Sequence, residues 1–139
     1  FCLADDWTGY AMPDSAYRMV VRLAGEYSYF FPLAGGSNLG MFRYAREYPD
    51  DLYMAGMDVY QSGYSSRITC SVVKNIDRLV GHYLNLWLEG ESIPRNKVYG
   101  LESGYIDIVV SPGYEKTLLP VVASLKDRAV EEENKFLNQ

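Results

Sequence analysis

The chain has 139 residues, enough for one domain with a real core and too few for two ordinary ones. Apolar residues make up 48% of it and charged residues 22%, a globular balance that excludes disorder and fibrous repeats. The formal net charge of −5 argues against broad nucleic-acid binding, which needs a basic face, and no apolar run approaches the roughly 20 residues of a membrane span.

Residues 1–4 form an apolar run that stops at Asp5-Asp6 and reads as a first strand entered from its inside. From that abrupt start the expectation is that the chain continues upstream; neither a basic start nor a long apolar stretch marks a signal peptide there. Residues 7–13 read as a loop. Asp14 or Ser15 then caps a helix with Ala16, Met19, Val20 and Leu23 at helical spacing, which Gly25 ends.

Residues 27–32 read as the second strand, and a glycine turn at Gly35 and Gly36 leads into a second helix over residues 39–47, stopped before Pro49. Residues 52–57 read as the third strand, ending at Asp58. Strand, helix, strand, helix, strand with short connections predicts right-handed crossovers, a parallel sheet and strand ends along one edge, where open α/β sheets bind ligands. The predicted class is therefore α/β, in three αβα layers with a mostly parallel sheet.

Residues 59–67 form a polar loop, and residues 68–71 are either a short strand or an extended lead-in to the next helix. That helix is the most clearly patterned, with Ile76, Leu79, Val80, Tyr83, Leu84 and Trp87 on one face and Glu89-Gly90-Glu91 closing it. After a loop around Pro94, residues 97–101 and 105–110 read as strands. A last helix spans residues 118–137, with Pro120 in its first turn.

Several patterns are weighed against their plainer readings. The glycine turn is no P-loop, because Gly40 is followed by Met41 and Phe42 rather than by Lys and Ser or Thr, and glycines at 35, 36 and 40 do not spell GxGxxG. It suits a neutral polar ligand approached by backbone, or simply a turn that needs a positive φ. Asp58 at a strand end could accept two hydrogen bonds from a vicinal diol, or cap its loop. Lys74 could pair with Asp58, donate to a ligand, or stay in solvent. His82, the only histidine, has no recognisable nucleophile placed near it and is not assigned as a base. Adjacent Asp5 and Asp6 are read as capping or solvated rather than as an acid/base pair. Cys2 and Cys70 lack any CxxC or His cluster and are read as packing residues, so neither a metal nor another cofactor is expected.

In order, the chain carries Phe30-Phe31-Pro32-Leu33-Ala34-Gly35-Gly36-Ser37-Asn38-Leu39-Gly40-Met41-Phe42, Gly56-Met57-Asp58-Val59-Tyr60-Gln61, Thr69-Cys70-Ser71-Val72-Val73-Lys74 and Gly100-Leu101-Glu102-Ser103-Gly104. This order resembles the basic membrane protein (BMP, PnrA-like) family, with its AGGxGxGVF, GVDxDQ, TSxxK and GLxxGG patterns. Asn38 stands where the family commonly has Gly, Tyr60 where it has a second Asp, and Tyr105 where GLxxGG continues.

The resemblance implies one lobe of a type I periplasmic-binding-protein fold, with residues 1–139 a single ligand-binding lobe and residues 97–139 a closing segment toward an N-terminal lobe that lies outside this chain. It implies a lipid-anchored substrate-binding component of an ABC importer in the bacterial cell envelope, a purine nucleoside as ligand, an ABC permease as partner, and no catalysis. Phe31 is similar to the aromatic that stacks on the base, Gly35, Gly36 and Ser37 to the backbone that approaches the ligand, and Asp58 and Lys74 to the pair that holds ribose. Trp7 is a rim candidate. Competing readings are a ligand-sensing regulatory domain of the same fold and, last, a nucleoside-processing enzyme. Homodimerisation or domain swapping is a further expectation for the isolated lobe.

Overall fold

The computed structural model of the protein describes residues 2–93 and 95–137. Along them follow α1 (Pro13–Leu23), β1 (Tyr29–Phe30), α2 (Asn38–Glu47), β2 (Tyr53–Asp58), β3 (Ile68–Lys74), α3 (Ile76–Leu88), β4 (Ile106–Val110) and α4 (Glu115–Leu137). The strands make one four-stranded sheet in the order β1-β2-β3-β4. The first three are parallel and β4 runs antiparallel to β3. The protein is thus an α/β fold with a mostly parallel sheet, as its sequence predicts.

The reversal at β4 traces to two hydrogen bonds of Asn75. After α3 the chain comes back to the end of β3 that it left, because the Asn75 N–H donates to the Tyr105 carbonyl at 2.8 Å and the Asn75 side-chain amide donates to the Gly104 carbonyl at 2.9 Å. From that point the only continuation along the sheet is backwards, with Ile106 opposite Lys74 and Val110 opposite Cys70.

The core lies on the α1/α2 side. Ala16 and Val20 of α1, and Met41, Phe42 and Ala45 of α2, close over Phe30, Met54 and Ile68 of the three parallel strands. The i, i+4 spacing on α1 places both of its buried residues on one stripe. The two helices meet at Gly40, where a Cβ would run into the Pro13 carbonyl, so the close approach depends on glycine. By contrast α3 and α4 hold no fully buried residue. They are tied down by polar contacts, among them the Lys126–Asp107 ion pair at 2.6 Å between α4 and β4.

Several expectations need correction. Residues 2–4 form no strand, and Phe1 lies outside the described residues; Leu3 instead packs against the core beside α1 and lines the groove along β1. Residues 7–13 are not an open loop: Trp7–Ala11 form a 3-10 turn, capped by Asp6, whose carboxylate accepts the Thr8 N–H at 2.9 Å. Asp6 is therefore a capping residue, one of the two roles expected for it. Helix α1 starts at Pro13, with Met12 as N-cap in place of Asp14 or Ser15, because proline's fixed φ suits the first helical position. It ends at Leu23, before Gly25. Residues 97–101 are not a strand, since the chain turns through residues 101–104 before β4; Pro94 lies outside the described residues. Helix α4 begins at Glu115, so Pro120 sits in its second turn instead of its first. Residues 68–71 resolve as strand, part of β3.

Two stability outcomes follow from this packing. Gly40→Ala should destabilise the fold by about 2–3 kcal/mol, the cost of overpacking a tight contact, read as a lowered urea midpoint. Tyr44 is a core residue whose hydroxyl donates to Asp51 Oδ2 at 2.7 Å, and burial together with that carboxylate pushes its pKa from 10.0 to about 12. An unfolded tyrosine ionises first, so its contribution is intact below pH 10 and is lost as pH rises from about 10 to 12. Urea midpoints measured across that window should fall, and Tyr44→Phe should fall less steeply.

Candidate ligand-binding site

Because β1, β2 and β3 are parallel, their carboxyl ends share one edge of the sheet. Phe30 is in register with Met54, so Asp58 stands four residues further along the sheet, beyond the end of β1. The chain after β1 fills that extra length with Pro32, Leu33 and Ala34 before the 3-10 turn Gly35–Ser37 opens α2. The glycine turn and Asp58 thus both follow the carboxyl ends of neighbouring parallel strands.

Asp58 is the one non-glycine residue with a positive φ, 72°, among the described residues. A left-handed backbone costs an L-residue about 1–2 kcal/mol, so the conformation must be held by its surroundings. Its carboxylate meets Lys74 Nζ at 2.7 Å, with the two side chains 57% and 44% exposed. An ion pair so open is worth at most about 1 kcal/mol. Stability therefore gains little here, whereas a carboxylate and an ammonium held side by side offer an acceptor and a donor to one ligand hydroxyl pair.

The loop beneath them is braced by Gln61. Its Oε1 accepts the Met57 N–H at 2.8 Å, and its own N–H donates to Ser71 Oγ at 3.1 Å. Ser71 is fully buried and lies opposite Gly56 in the sheet. A Cβ at Gly56 would come within 2.5 Å of Ser71 Oγ and 2.8 Å of Gln61 Oε1, so glycine makes the brace possible.

At the glycine turn, Gly35 has φ 53°, and a Cβ on it would fall 2.7 Å from Cδ1 of Tyr10. Tyr10 thus lies directly over the turn, and the Trp7 ring stacks on Tyr10 with centroids 5.5 Å apart. Trp7 is 83% exposed and Phe31 is 46% exposed, so both present aromatic faces outward. Phe31, Tyr10 and Asp6 also line a groove of about 510 Å³ that runs along the β1 edge past Leu3 and Leu23. The hydroxyl of Ser37 is spent inside the protein: it is fully buried, donates to the Gly9 carbonyl at 2.5 Å and accepts the Met12 N–H at 2.7 Å. Asn38 is likewise structural, accepting the Ala34 N–H at 2.9 Å and donating to the Pro32 carbonyl at 3.2 Å.

Of the sequence candidates, Asp58 and Lys74 are brought into direct contact, and Trp7, Gly35 and Gly36 gather around Tyr10. Phe31 follows β1 at the same edge, and Ser37 turns its side chain away. Tyr10, Gln61 and Ser71 were not singled out in the sequence. For Gln61 the signal was present in the Gly56-to-Gln61 pattern; Tyr10 had none beyond being aromatic. Cys2 is exposed rather than packed and Cys70 is half-buried, both as free thiols. His82 stands within an aromatic cluster with Tyr83, Tyr99 and Tyr105.

No family model matches the chain, and no curated protein matches it. Solved structures do. The fold is similar to that of a transcriptional activator of the comK gene from Bacillus halodurans, with a TM-score of 0.73, 19% identity, and coverage of 89% of this chain and 43% of that one. It is also similar to an ABC transporter system solute-binding protein from Aeropyrum pernix, with a TM-score of 0.60, 19% identity, and coverage of 84% of this chain and 38% of the other. The chain spans less than half the length of either. These likenesses establish a periplasmic-binding-type α/β fold.

The buried Ser37 hydroxyl makes a stability test. Ser37→Ala leaves the half-buried Met12 N–H and the buried Gly9 carbonyl unmatched and should cost about 2 kcal/mol, measured as a shift in the urea midpoint, with Ser37→Thr losing less if its hydroxyl regains either partner.

Proposed function

We propose that this chain is a ligand-binding lobe that takes a purine nucleoside at the carboxyl edge of its parallel strands and performs no chemistry on it. The observation that carries the reading is the Asp58–Lys74 pair, 2.7 Å apart at the ends of neighbouring strands, with Asp58 held in a left-handed backbone. Such a pair receives a ribose diol: the carboxylate accepts from the hydroxyls while the ammonium donates to one of them. The exposed rings of Trp7, Tyr10 and Phe31 supply flat faces for the base. A stacked base is worth roughly 1–3 kcal/mol where proteins bind single-stranded nucleic acid, and the same contact serves a free nucleoside. The backbone of Gly35 and Gly36 lies at the head of α2, where the first N–H groups lack intrahelical partners.

In this reading the chain is one jaw of a two-lobed, lipid-anchored substrate-binding protein of the BMP type in the bacterial cell envelope. Closure of both lobes would bury the ligand and present it to an ABC permease. Its likeness to a solute-binding protein supports a binding role in general. A second reading, a sensor lobe that regulates transcription, is favoured by the likeness to a transcriptional activator. The sequence upstream of residue 1 separates the two, since a lipid-attachment motif marks uptake and a DNA-binding segment marks regulation.

The ligand test is calorimetric titration of inosine and adenosine into this chain and into the same chain with its upstream sequence restored. Binding should be weak in the first, tighter in the second, and reduced about tenfold or more by Asp58→Ala, the size of a lost charge-assisted hydrogen bond. Unchanged affinity in Asp58→Ala overturns the site, and turnover of either nucleoside overturns the absence of chemistry.

A further inference from the structure

We infer that Gln61 is a positioning residue: its side-chain oxygen, which takes the Met57 N–H, and its backbone N–H, which is anchored on Ser71, together hold Asp58 in its left-handed conformation and so set the carboxylate against Lys74. The inference rests on the nucleoside-binding reading for its functional consequence but not for its structural content.

The backbone conformation at Asp58 is one that a side chain with a Cβ avoids unless its neighbours impose it. Asp tolerates this conformation better than most residues do, but Met57 and Val59 on either side have no preference for a turn. The imposing contacts are those of Gln61. Its Oε1 takes the N–H of Met57, the residue before Asp58, at 2.8 Å, and its backbone N–H gives to Ser71 Oγ at 3.1 Å. The strand end is thereby tied to the residue three positions beyond it, so the intervening backbone must double back. A right-handed or extended Asp58 would carry Gln61 away from both partners. Ser71 cannot yield, since it is fully buried in β3 opposite Gly56. Gly56 leaves the room the amide occupies, as a Cβ there would press on both Gln61 Oε1 and Ser71 Oγ.

Acceptance of the Met57 N–H also fixes which way the amide faces. The oxygen is turned inward, so the amide's work is internal and its contribution to a ligand is indirect. A residue acting in this manner raises affinity by pre-organising the group that touches the ligand, which then spends less of its binding energy on ordering.

The test combines a backbone measurement with a double-mutant cycle. Gln61→Met keeps the length and removes the acceptor, while Gln61→Glu keeps the acceptor. In the unaltered chain, NMR couplings and chemical shifts should report a positive φ at Asp58; Gln61→Met should lose it and Gln61→Glu should retain it. For inosine binding, Gln61→Met should weaken affinity about tenfold, the worth of one net hydrogen bond, and should have no further effect when Asp58 is already Ala. A positive φ that persists in Gln61→Met overturns the inference. So does an equal loss of affinity in the Asp58→Ala background, which would mark a general structural role. If neither nucleoside binds the unaltered chain, the ligand reading fails and the φ measurement alone decides the lock.

Discussion

The edge of the sheet depends on one buried hydroxyl. Ser37 Oγ ties the turn at the head of α2 to the 3-10 segment Trp7–Ala11, through the Gly9 carbonyl and the Met12 N–H. That link places Tyr10 on Gly35 and brings Pro13 onto Gly40. In the interior each of these groups must find a partner, since an unmatched buried N–H or carbonyl forfeits its hydrogen bond to water without replacement. The hydroxyl supplies both a donor and an acceptor in one atom, which is why the turn, the preceding segment and the start of α1 form a single unit.

Against this firm base the chemistry of the edge is unusually open. Asp58 and Lys74 are both substantially exposed, and Trp7 and Phe31 show their rings to solvent. Solvent screening makes such contacts poor contributors to folding, and an exposed tryptophan contributes no burial. Their arrangement makes physical sense as a surface waiting for a ligand, with the strain at Asp58 carried by the buried Ser71 and by Gln61. The division between a rigid scaffold and a presented edge is the one expected when binding groups sit on strand ends.

The fold is unequal across its sheet. On the α1/α2 side Val20, Phe42, Met54 and Ile68 are almost completely buried. On α3, Ile76, Val80, Leu84 and Trp87 remain more than half exposed, although their spacing is as regular as that of α1. Periodicity reports that a helix has an apolar stripe; it does not report what the stripe meets. This is why α3 was the most clearly patterned helix in the sequence and yet holds no fully buried residue.

What the sequence by itself determined was local. Apolar periods marked α1, α3 and α4, the glycine turn and Pro49 bracketed α2, short apolar runs ended by Asp58 and by the glycine turn marked two of the parallel strands, and the order of short connections predicted strand ends along one edge. Those signals survive because each depends on neighbours within a few residues. The tertiary structure decided what depends on partners far along the chain. Ser37 became internal through Gly9, Gln61 became a brace through Ser71, and β4 turned antiparallel because Asn75 captures Tyr105. The expected strand at residues 97–101 failed for the same reason, as Gly104 is drawn to Asn75 and its φ of 71° bends the chain before it can pair. A hydrogen bond between distant residues leaves no period in the sequence; it exists only once the sheet has brought its two ends together.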